Sequence, residues 1–507
     1  MSFFPAGPHP SAGPCPSEGP LTDPGPAQTS SDRPERPAPD GGPRRRDLLA
    51  GAAALLLFAA VAAVGAWLQH DGHALRSPFP PLEAWWHPHA GPGTPLTVLV
   101  AAAVIGYGPS AAARLPRHAL PWAAWAAASA WTWSLALVDG WHRGVSGRLL
   151  ETGEYLTQLH RFDHLGPALR TYAAHILIHS PHNWTTHIAG HPPGAVLTFV
   201  ALDRIGLGGG TWAAAFVMTA GTSLVPAVLL TLRLLTGEWR ARTAAPFLVL
   251  VPGAVWVGVA ADGYFAAVAA WALALLAVAA TRTSPVSRAA AGFGAGLLLG
   301  AACYLSYGLV LLVVPAAVVL LCARSVRPVP YVLAGCAVVV AAFTASGFEW
   351  WQAYGLLRTR YYQGVGGIRP YGYWFFGDLA TVVAAAGPAS FAGLRRVLAA
   401  RGRFSGGPGG EPAGPPTAPR GVGALLARWQ GEEQALAAVL LPCGFLLAML
   451  AADLSGMSKA ETERIWLPFS LWLPACAAFL PRRDHRGWLA AQAVAALLLN
   501  HLLLTSW

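Results

Sequence analysis

Two histidines and a proline pair stand at the start of an apolar stretch in Thr185–Val196, written TTHIAGHPPGAV. Proline is favoured in the first turn of a helix, and it also restricts the backbone of the residue before it. The motif therefore has two interpretations. It is either an ordinary helix start, or it aims His191, and with it His187, into a cavity.

Carboxylates precede this motif and have the chemistry of a general base. Asp139 follows an apolar run, and Glu151 and Glu154 lie in ETGE, a spacing that puts both on one face of a helix. A positioned carboxylate can remove the proton of a hydroxyl group. We expect the base to be Glu154 or Asp139 and favour Glu154 for its spacing to the histidine–proline motif.

Arginine supplies the complementary chemistry, because a guanidinium binds phosphate through two parallel hydrogen bonds. We expect Arg464, in ERIWLPF, to hold a departing phosphate together with Arg358 or Arg360. The other side chains that we expect to bind substrate are His187, His191, Asp262, Tyr361 and Glu463. A base and a phosphate-binding cation together suit transfer of a sugar from a lipid phosphate to a hydroxyl group.

The composition is that of a membrane protein. Of the 507 residues, 54% are hydrophobic and 11% are charged, whereas about a quarter are charged in a soluble domain. The net charge of +10 does not indicate nucleic-acid binding, because the arginines lie in short loops between apolar runs, as topology signals do. Lysine occurs once, at Lys459, a bias typical of a GC-rich genome such as that of an actinobacterium.

Apolar runs recur along the chain. Crossing a bilayer takes about 20 residues, and each run has that length or slightly less. They lie near 47–68, 95–112, 119–138, 211–235, 243–260, 263–280, 289–303, 308–323, 330–347, 374–394, 434–453, 464–481 and 487–505. The stretch 192–207 is shorter and contains Asp203 and Arg204, so we expect it to be interfacial or re-entrant. This predicts an all-α polytopic protein with about 13 transmembrane helices.

The positive-inside rule sets the orientation and the domain plan. With a cytoplasmic N-terminus, 23 of the 34 Lys and Arg residues lie inside the cell. We predict a disordered, Pro/Gly-rich cytoplasmic tail over 1–45, two N-terminal transmembrane helices in 46–118, and a membrane domain over 119–507. Within that domain, 139–191 is an outer loop that carries catalytic residues and 397–433 is a cytoplasmic low-complexity loop.

The loop 139–191 carries eight of the sixteen histidines. The spacing of its apolar residues over Arg148–Arg161 and Leu169–Ile178 predicts amphipathic helices that lie along the membrane surface. The sequence has no HExxH motif and no tight spacing of ligands. We therefore assign no metal-binding residue and leave the cofactor unassigned, with a divalent metal as one option.

The order of these motifs resembles that of the GT-C superfamily of polytopic glycosyltransferases, particularly its protein O-mannosyltransferase and aminoarabinose-transferase branch. In that branch an acidic motif near the start of the first large outer loop precedes an HPP-type motif. The acidic motif is matched here by Asp139, Glu151 or Glu154. The HPP-type motif is matched by His191–Gly194. Asp262 matches an acidic residue after a later span, and ERIWLPF matches an arginine-plus-proline segment. The adjacent acidic pair usual in the family is absent from this sequence.

The resemblance implies a GT-C-like membrane glycosyltransferase that moves a sugar from a polyprenyl-phosphate donor to an acceptor hydroxyl on the outer face of the cytoplasmic membrane. The bilayer and the lipid-linked sugar are then partners, and the acceptor is a glycan, lipid or protein. One alternative is a transporter or flippase of a lipid-linked cell-envelope precursor, which would carry ionisable residues at mid-membrane. Another is a non-catalytic envelope assembly protein, which would tolerate loss of every outer carboxylate.

Overall fold

A computed structural model describes residues 44–404 and 422–506. Over 400–404 and 422–432 it describes the backbone alone. The predicted tail, up to residue 43, and the centre of the predicted loop 397–433 lie outside the described residues. From residue 44 onward the described chain belongs to one compact unit.

The described chain is predominantly helical. Apolar segments favour helices in a membrane because a helix satisfies its own backbone hydrogen bonds. The α-helices are α1 Arg44–His70, α2 Thr94–Arg114, α3 Leu120–Ala136, α4 Leu165–Arg170, α5 Thr186–Gly190, α6 Pro193–Arg204, α7 Gly210–Thr222, α8 Leu224–Thr236, α9 Glu238–Val249, α10 Ala254–Val257, α11 Ala261–Thr281, α12 Pro285–Leu305, α13 Val313–Cys322, α14 Val329–Ala345, α15 Trp350–Gln363, α16 Tyr371–Ala386, α17 Pro388–Phe404, α18 Val422–Leu454, α19 Thr462–Ile465, α20 Leu467–Ser470 and α21 His485–Leu502.

Shorter elements connect these helices. One π-helical turn spans His142–Ser146, and the 3₁₀ segments are Leu137–Asp139, Arg148–Leu150, Tyr155–Phe162, Tyr172–His175, Tyr307–Leu312, Val365–Gly367, Leu473–Phe479 and Arg482–Asp484. Two short strands, β1 (Ala84–Trp86) and β2 (Leu503–Thr505), pair antiparallel with Ala84 opposite Thr505. This pairing joins the segment between α1 and α2 to the end of the chain.

The protein is a multi-pass membrane protein, but the thirteen predicted spans are not confirmed. Among the described residues six helical stretches are long and apolar enough to cross a bilayer: α1, α2, α7 with α8, α11, α12 and the part of α18 from Glu433 to Leu454. The pairs α14–α15 and α16–α17 bend by 75° and 101°, and counting each as one span gives eight. The predicted span 243–260 is instead divided into α9 and α10 by a break at Pro252–Gly253, where proline removes a backbone donor.

The loop 139–191 does not form the two predicted amphipathic helices. Gly153, at φ +111°, divides Arg148–Arg161 into separate 3₁₀ segments, Arg148–Leu150 and Tyr155–Phe162. The stretch Leu169–Ile178 contains only the end of α4 and the 3₁₀ segment Tyr172–His175. Large side chains of the loop turn into the protein core instead of facing the membrane. The buried ones are Tyr155, Phe162, Tyr172 and Trp184.

A buried ion cluster fastens α1 to α17. Asp47 is 1% exposed, and one of its oxygens accepts hydrogen bonds from Nε and Nη2 of Arg395 at 3.0 and 2.6 Å. Its other oxygen accepts from Nε and Nη2 of Arg396 at 2.8 and 2.6 Å. Each guanidinium thus directs two N–H groups at one oxygen of the carboxylate, and these charge-assisted hydrogen bonds hold α1 against α17.

We expect Asp47→Asn to destabilise the protein strongly, because it leaves two guanidiniums beside a neutral amide in a buried site. Loss of one partner of a buried ion pair lowers the free energy of unfolding by about 3–5 kcal/mol. Thermal unfolding of the detergent-solubilised protein measures the change. Asp71→Asn is the matched control, because Asp71 is 60% exposed and its ion-pair partner among the described residues is His73, itself exposed. An unchanged Tm in Asp47→Asn would contradict this role.

Candidate active site

A buried guanidinium, that of Arg464 in α19, stands at the centre of the predicted site residues. Its Nη1 donates to a carboxylate oxygen of Asp262 at 2.6 Å, and its Nη2 donates to Glu461 at 2.7 Å and to Nε2 of His187 at 3.0 Å. The side chain of Arg464 is only 5% exposed. Residues from α5, α11 and the start of α19, far apart in sequence, therefore meet at one cation.

His187 connects this cation to the carboxylate of Glu154. Arginine only donates hydrogen bonds, so Nε2 of His187 must accept from Arg464 and its proton lies on Nδ1. Nδ1 is 3.1 Å from the carbonyl oxygen of Gly153 and 3.3 Å from a Glu154 oxygen. Burial, and then the charge of Arg464, lower the pKa of His187 to about 4. His187 is thus a neutral bridge between a carboxylate and a cation.

Glu154 is a mostly buried carboxylate whose pKa is raised. Its side chain is 14% exposed. Burial raises the pKa of Glu154 to about 8, while Arg464 lowers it and Asp262 raises it by smaller amounts. A carboxylate with such a pKa is more basic than an ordinary surface carboxylate and close to the operating pH, which is what proton abstraction requires.

His191 lies beside this chain of residues and keeps one nitrogen available. Pro192 precedes α6 in an extended conformation and Pro193 occupies its first turn, so the proline pair is an ordinary helix start. His191 is also extended, and its Nδ1 donates to the carbonyl oxygen of His187 at 2.8 Å. Burial lowers the pKa of His191 to about 4. Nε2 of the neutral ring is therefore an acceptor.

A second cation, Arg369, was not predicted from the sequence and extends the cluster. Its Nη1 lies 3.4 Å from Glu461, and its Nη2 lies 3.4 Å from Glu83. Burial alone would raise the pKa of Glu461, but the guanidiniums of Arg464 and Arg369 outweigh it and hold that pKa below its usual value. One signal was available: Arg369 precedes a proline at the start of an apolar helix, as His191 does.

Glu463, predicted to bind substrate, is fully buried. Its Oε1 accepts a hydrogen bond from the backbone N–H of Glu83 at 2.9 Å. Burial raises the pKa of both Glu463 and Glu83 to about 7. Glu463 therefore links α19 to the segment before β1, and Glu83 brings the N-terminal part of the chain to the site.

The backbone that carries Glu461 is strained. Ala460 and Glu461 have φ values of +72° and +64°, a left-handed conformation that is uncommon outside glycine. Such residues cost on the order of 1–3 kcal/mol each and concentrate at functional sites. The strain places the Glu461 carboxylate between the two guanidiniums.

Asp139 and Glu151, the other predicted catalytic carboxylates, lie in a different ion cluster. Asp139 is 2.7 Å from Nε2 of His89 and 3.3 Å from Nη2 of Arg148. Arg148 also donates to the carbonyl oxygen of Thr505 at 3.0 Å and lies 3.6 Å from Glu151, which is 51% exposed. These contacts fasten the start of the loop 139–191 to strand β2.

The remaining predicted residues contact other parts of the molecule. Arg360 donates to two backbone carbonyl oxygens of the loop 139–191 at 2.6 and 3.0 Å. The hydroxyl of Tyr361 accepts from the backbone N–H of Lys459 at 2.9 Å, while Arg358 is exposed. Arg360 and Tyr361 therefore hold the loops around the site, and Arg358 has no such contact among the described residues.

Within residues 44–404 and 422–506, no group of three or more His, Cys, Asp or Glu side chains is arranged to hold a metal ion. The residues around Arg464 instead pair acidic groups with guanidiniums.

Comparisons with known proteins give only distant likenesses. No protein-family model and no curated protein matches the chain. Among solved structures, the apo oligosaccharyltransferase of Archaeoglobus fulgidus matches with a TM-score of 0.43 and 14% identity over 75% of this chain and 55% of that chain. The same enzyme in complex with Zn and sulfate gives 0.41 and 14%, over 75% and 53%. This chain thus spans about half the length of those structures, and a likeness of this degree assigns neither family nor activity.

Asp139 and Glu154 are the two candidate bases that the sequence offers. We expect their substitution to change the free energy of unfolding by different amounts. Asp139→Asn leaves buried Arg148 facing a neutral amide and should lower the free energy of unfolding by about 3 kcal/mol. Glu154→Gln should leave stability nearly unchanged, because a raised pKa means that the fold already accommodates the neutral side chain. Thermal unfolding in detergent at pH 7 compares the two. Equal destabilisation by both variants would contradict this division.

Proposed function

We propose that this protein is a membrane glycosyltransferase that moves a sugar from a polyprenyl-phosphate donor to an acceptor hydroxyl on the outer face of the cytoplasmic membrane. The observation that carries the proposal is the buried convergence of a basic carboxylate, Glu154, with a guanidinium, Arg464, through His187. Sugar transfer from a lipid phosphate needs both groups close together, one for the acceptor proton and one for the leaving phosphate.

Glu154 is assigned as the base. In its ionised form it takes the proton of the acceptor hydroxyl as that oxygen bonds to the anomeric carbon of the sugar. The bond from the anomeric carbon to the phosphate oxygen breaks, and its electron pair stays on the polyprenyl phosphate. Neutral His187 holds the carboxylate in place, because its Nδ1 faces Glu154 and Gly153 while its Nε2 is occupied by Arg464.

Arg464 is assigned to the phosphate, but its guanidinium already contacts Asp262 and Glu461. A donor phosphate must therefore replace one of the two carboxylates. Glu461 is the one that can move, because Arg369 offers it a second guanidinium at 3.4 Å. We assign Arg369 the role of holding Glu461 while phosphate occupies Arg464. Asp262 then keeps the guanidinium oriented.

His191 is assigned to the sugar or the acceptor. Its Nε2 accepts no hydrogen bond from the described residues, while Nδ1 is fixed by the carbonyl oxygen of His187. A hydroxyl group of the substrate is the donor that matches this nitrogen. Each step is assigned to side chains of this chain.

A transporter of a lipid-linked precursor is the second candidate, and one observation favours it. Asp378 and Asp453, in helices α16 and α18, are 1% and 2% exposed. Neither oxygen of Asp453 has a hydrogen-bond partner among the described residues. Ionisable residues within membrane spans are typical of transport pathways; Asp378 lies within α16, and Asp453 lies one residue before the end of α18. A transporter would keep its activity when Glu154 is neutralised and lose it when Asp453 is.

We expect Glu154→Gln to abolish sugar transfer while the protein stays folded. Loss of a general base lowers a rate by roughly 10²–10⁴-fold. The assay measures transfer from a panel of labelled polyprenyl-phosphate sugars in membranes that contain the full chain. Glu151→Gln is the matched control and should retain activity, because Glu151 is 51% exposed and faces Arg148. Wild-type activity in Glu154→Gln would remove the proposed base.

The rate of transfer should rise with pH up to about 8, because only ionised Glu154 accepts a proton and burial raises its pKa to about 8. Below that value each unit of pH lowers the ionised fraction about tenfold. The pH profile of kcat/KM for the labelled donor measures this limb, and Glu151→Gln should keep it. A profile already flat between pH 5 and about 8 would mean that an ordinary carboxylate is the base.

A further inference from the structure

Two cavities lined by arginines lie at the end of the helix bundle opposite Asp262. Asp262 is in the first turn of α11, and Arg282 follows the last residue of that helix. A helix of 21 residues is about 30 Å long, close to the thickness of the hydrocarbon core of a bilayer. The cavities therefore lie at the other membrane surface from the candidate active site.

The two cavities share one arginine. The first has a volume of about 490 Å³ and is lined by Arg282, Arg288, Arg324 and Arg327, with no acidic side chain in its wall. The second has a volume of about 700 Å³, and its wall includes Arg282 with Arg117 and Arg233. Because Arg282 lines both, the two cavities adjoin, and together they are called the basic depression here.

The positive charge of this basic depression is largely unneutralised. Arg324 pairs with Glu433 at 2.6 Å. Glu238, the acidic residue in the wall of the second cavity, is bound to Arg242 at 2.7 Å. The other arginines of the basic depression have no ion pair among the described residues. They are Arg117, Arg233, Arg282, Arg288 and Arg327. An anion is the ligand that such a wall attracts.

Part of the wall is held in shape before any ligand arrives. Nη2 of Arg288 donates to the carbonyl oxygens of Arg282 and Thr283, both at 3.1 Å, which fixes the turn before α12. Both α12 and α14, with 21 and 17 residues, begin beside the first cavity. The positive ends of these helix dipoles add to the attraction for a phosphate group.

The depth of the basic depression selects the source of the phosphate. Its residues lie where α8 and α11 end and where α3, α12 and α14 begin, which is the level of lipid headgroups. We propose that the basic depression binds the phosphate of an anionic glycerophospholipid headgroup from the surrounding leaflet. Arginine pockets between helices at this depth suit such headgroups. This site is independent of the proposed catalytic function.

Native mass spectrometry of the full-length protein in mild detergent tests the proposal, with phosphatidylglycerol and phosphatidylcholine titrated separately. We expect retained phosphatidylglycerol and little phosphatidylcholine on the wild-type protein. The double variant Arg282→Gln/Arg327→Gln should bind phosphatidylglycerol roughly tenfold or more weakly, because two interfacial cations are lost. Both side chains are exposed, so the variant should keep the wild-type Tm.

Arg483→Gln removes an exposed arginine that lines neither cavity and should bind phosphatidylglycerol like the wild type. Equal loss in Arg483→Gln and the double variant would reduce the effect to net charge and overturn the site. Equal retention in all three proteins would also overturn it. Displacement of the lipid by millimolar inorganic phosphate would show that the basic depression is a site for free phosphate, not for a lipid.

Discussion

The guanidinium of Arg464 imposes the main constraint on the site, because a buried charge must be paired. Its neighbours come from three separate parts of the chain: Asp262 at the start of α11, His187 in the loop 139–191, and Glu461 just before α19. Removing water from a cation costs several kcal/mol unless opposite charge and hydrogen bonds replace the water. The loops around α19 therefore have to converge on this residue.

The same constraint separates the acidic groups into two kinds. Glu461 lies between two guanidiniums that hold its pKa below the usual value, whereas burial outweighs the charge of Arg464 at Glu154 and raises its pKa to about 8. Environments that push the pKa values of nearby carboxylates apart distinguish a proton acceptor from a charge partner. A short chain of contacts, Glu154 to His187 to Arg464, thus brings a carboxylate with a raised pKa close to a buried cation.

Burial of charge alone does not identify a functional site in this protein. Asp47 with Arg395 and Arg396, and Asp139 with Arg148, are also buried ion clusters. In both of them a carboxylate is matched by arginines that join one element to another, so their role is structural. The candidate active site differs because a carboxylate with a raised pKa and a histidine nitrogen remain available to a substrate.

The sequence by itself determined the membrane class, the helices α1, α11 and the later part of α18, and the candidates Glu154, His187, Asp262 and Arg464. Hydropathy and the position of prolines are local properties, so they can be read from neighbouring residues. Only the tertiary structure decided the breaks that reduce the number of spans and the turns that replace the amphipathic helices. It also decided that Asp139 pairs with Arg148, and that Glu83, Arg369 and Glu461 join the site. Pairings across hundreds of residues depend on how the helices pack, and no local pattern in the sequence records them.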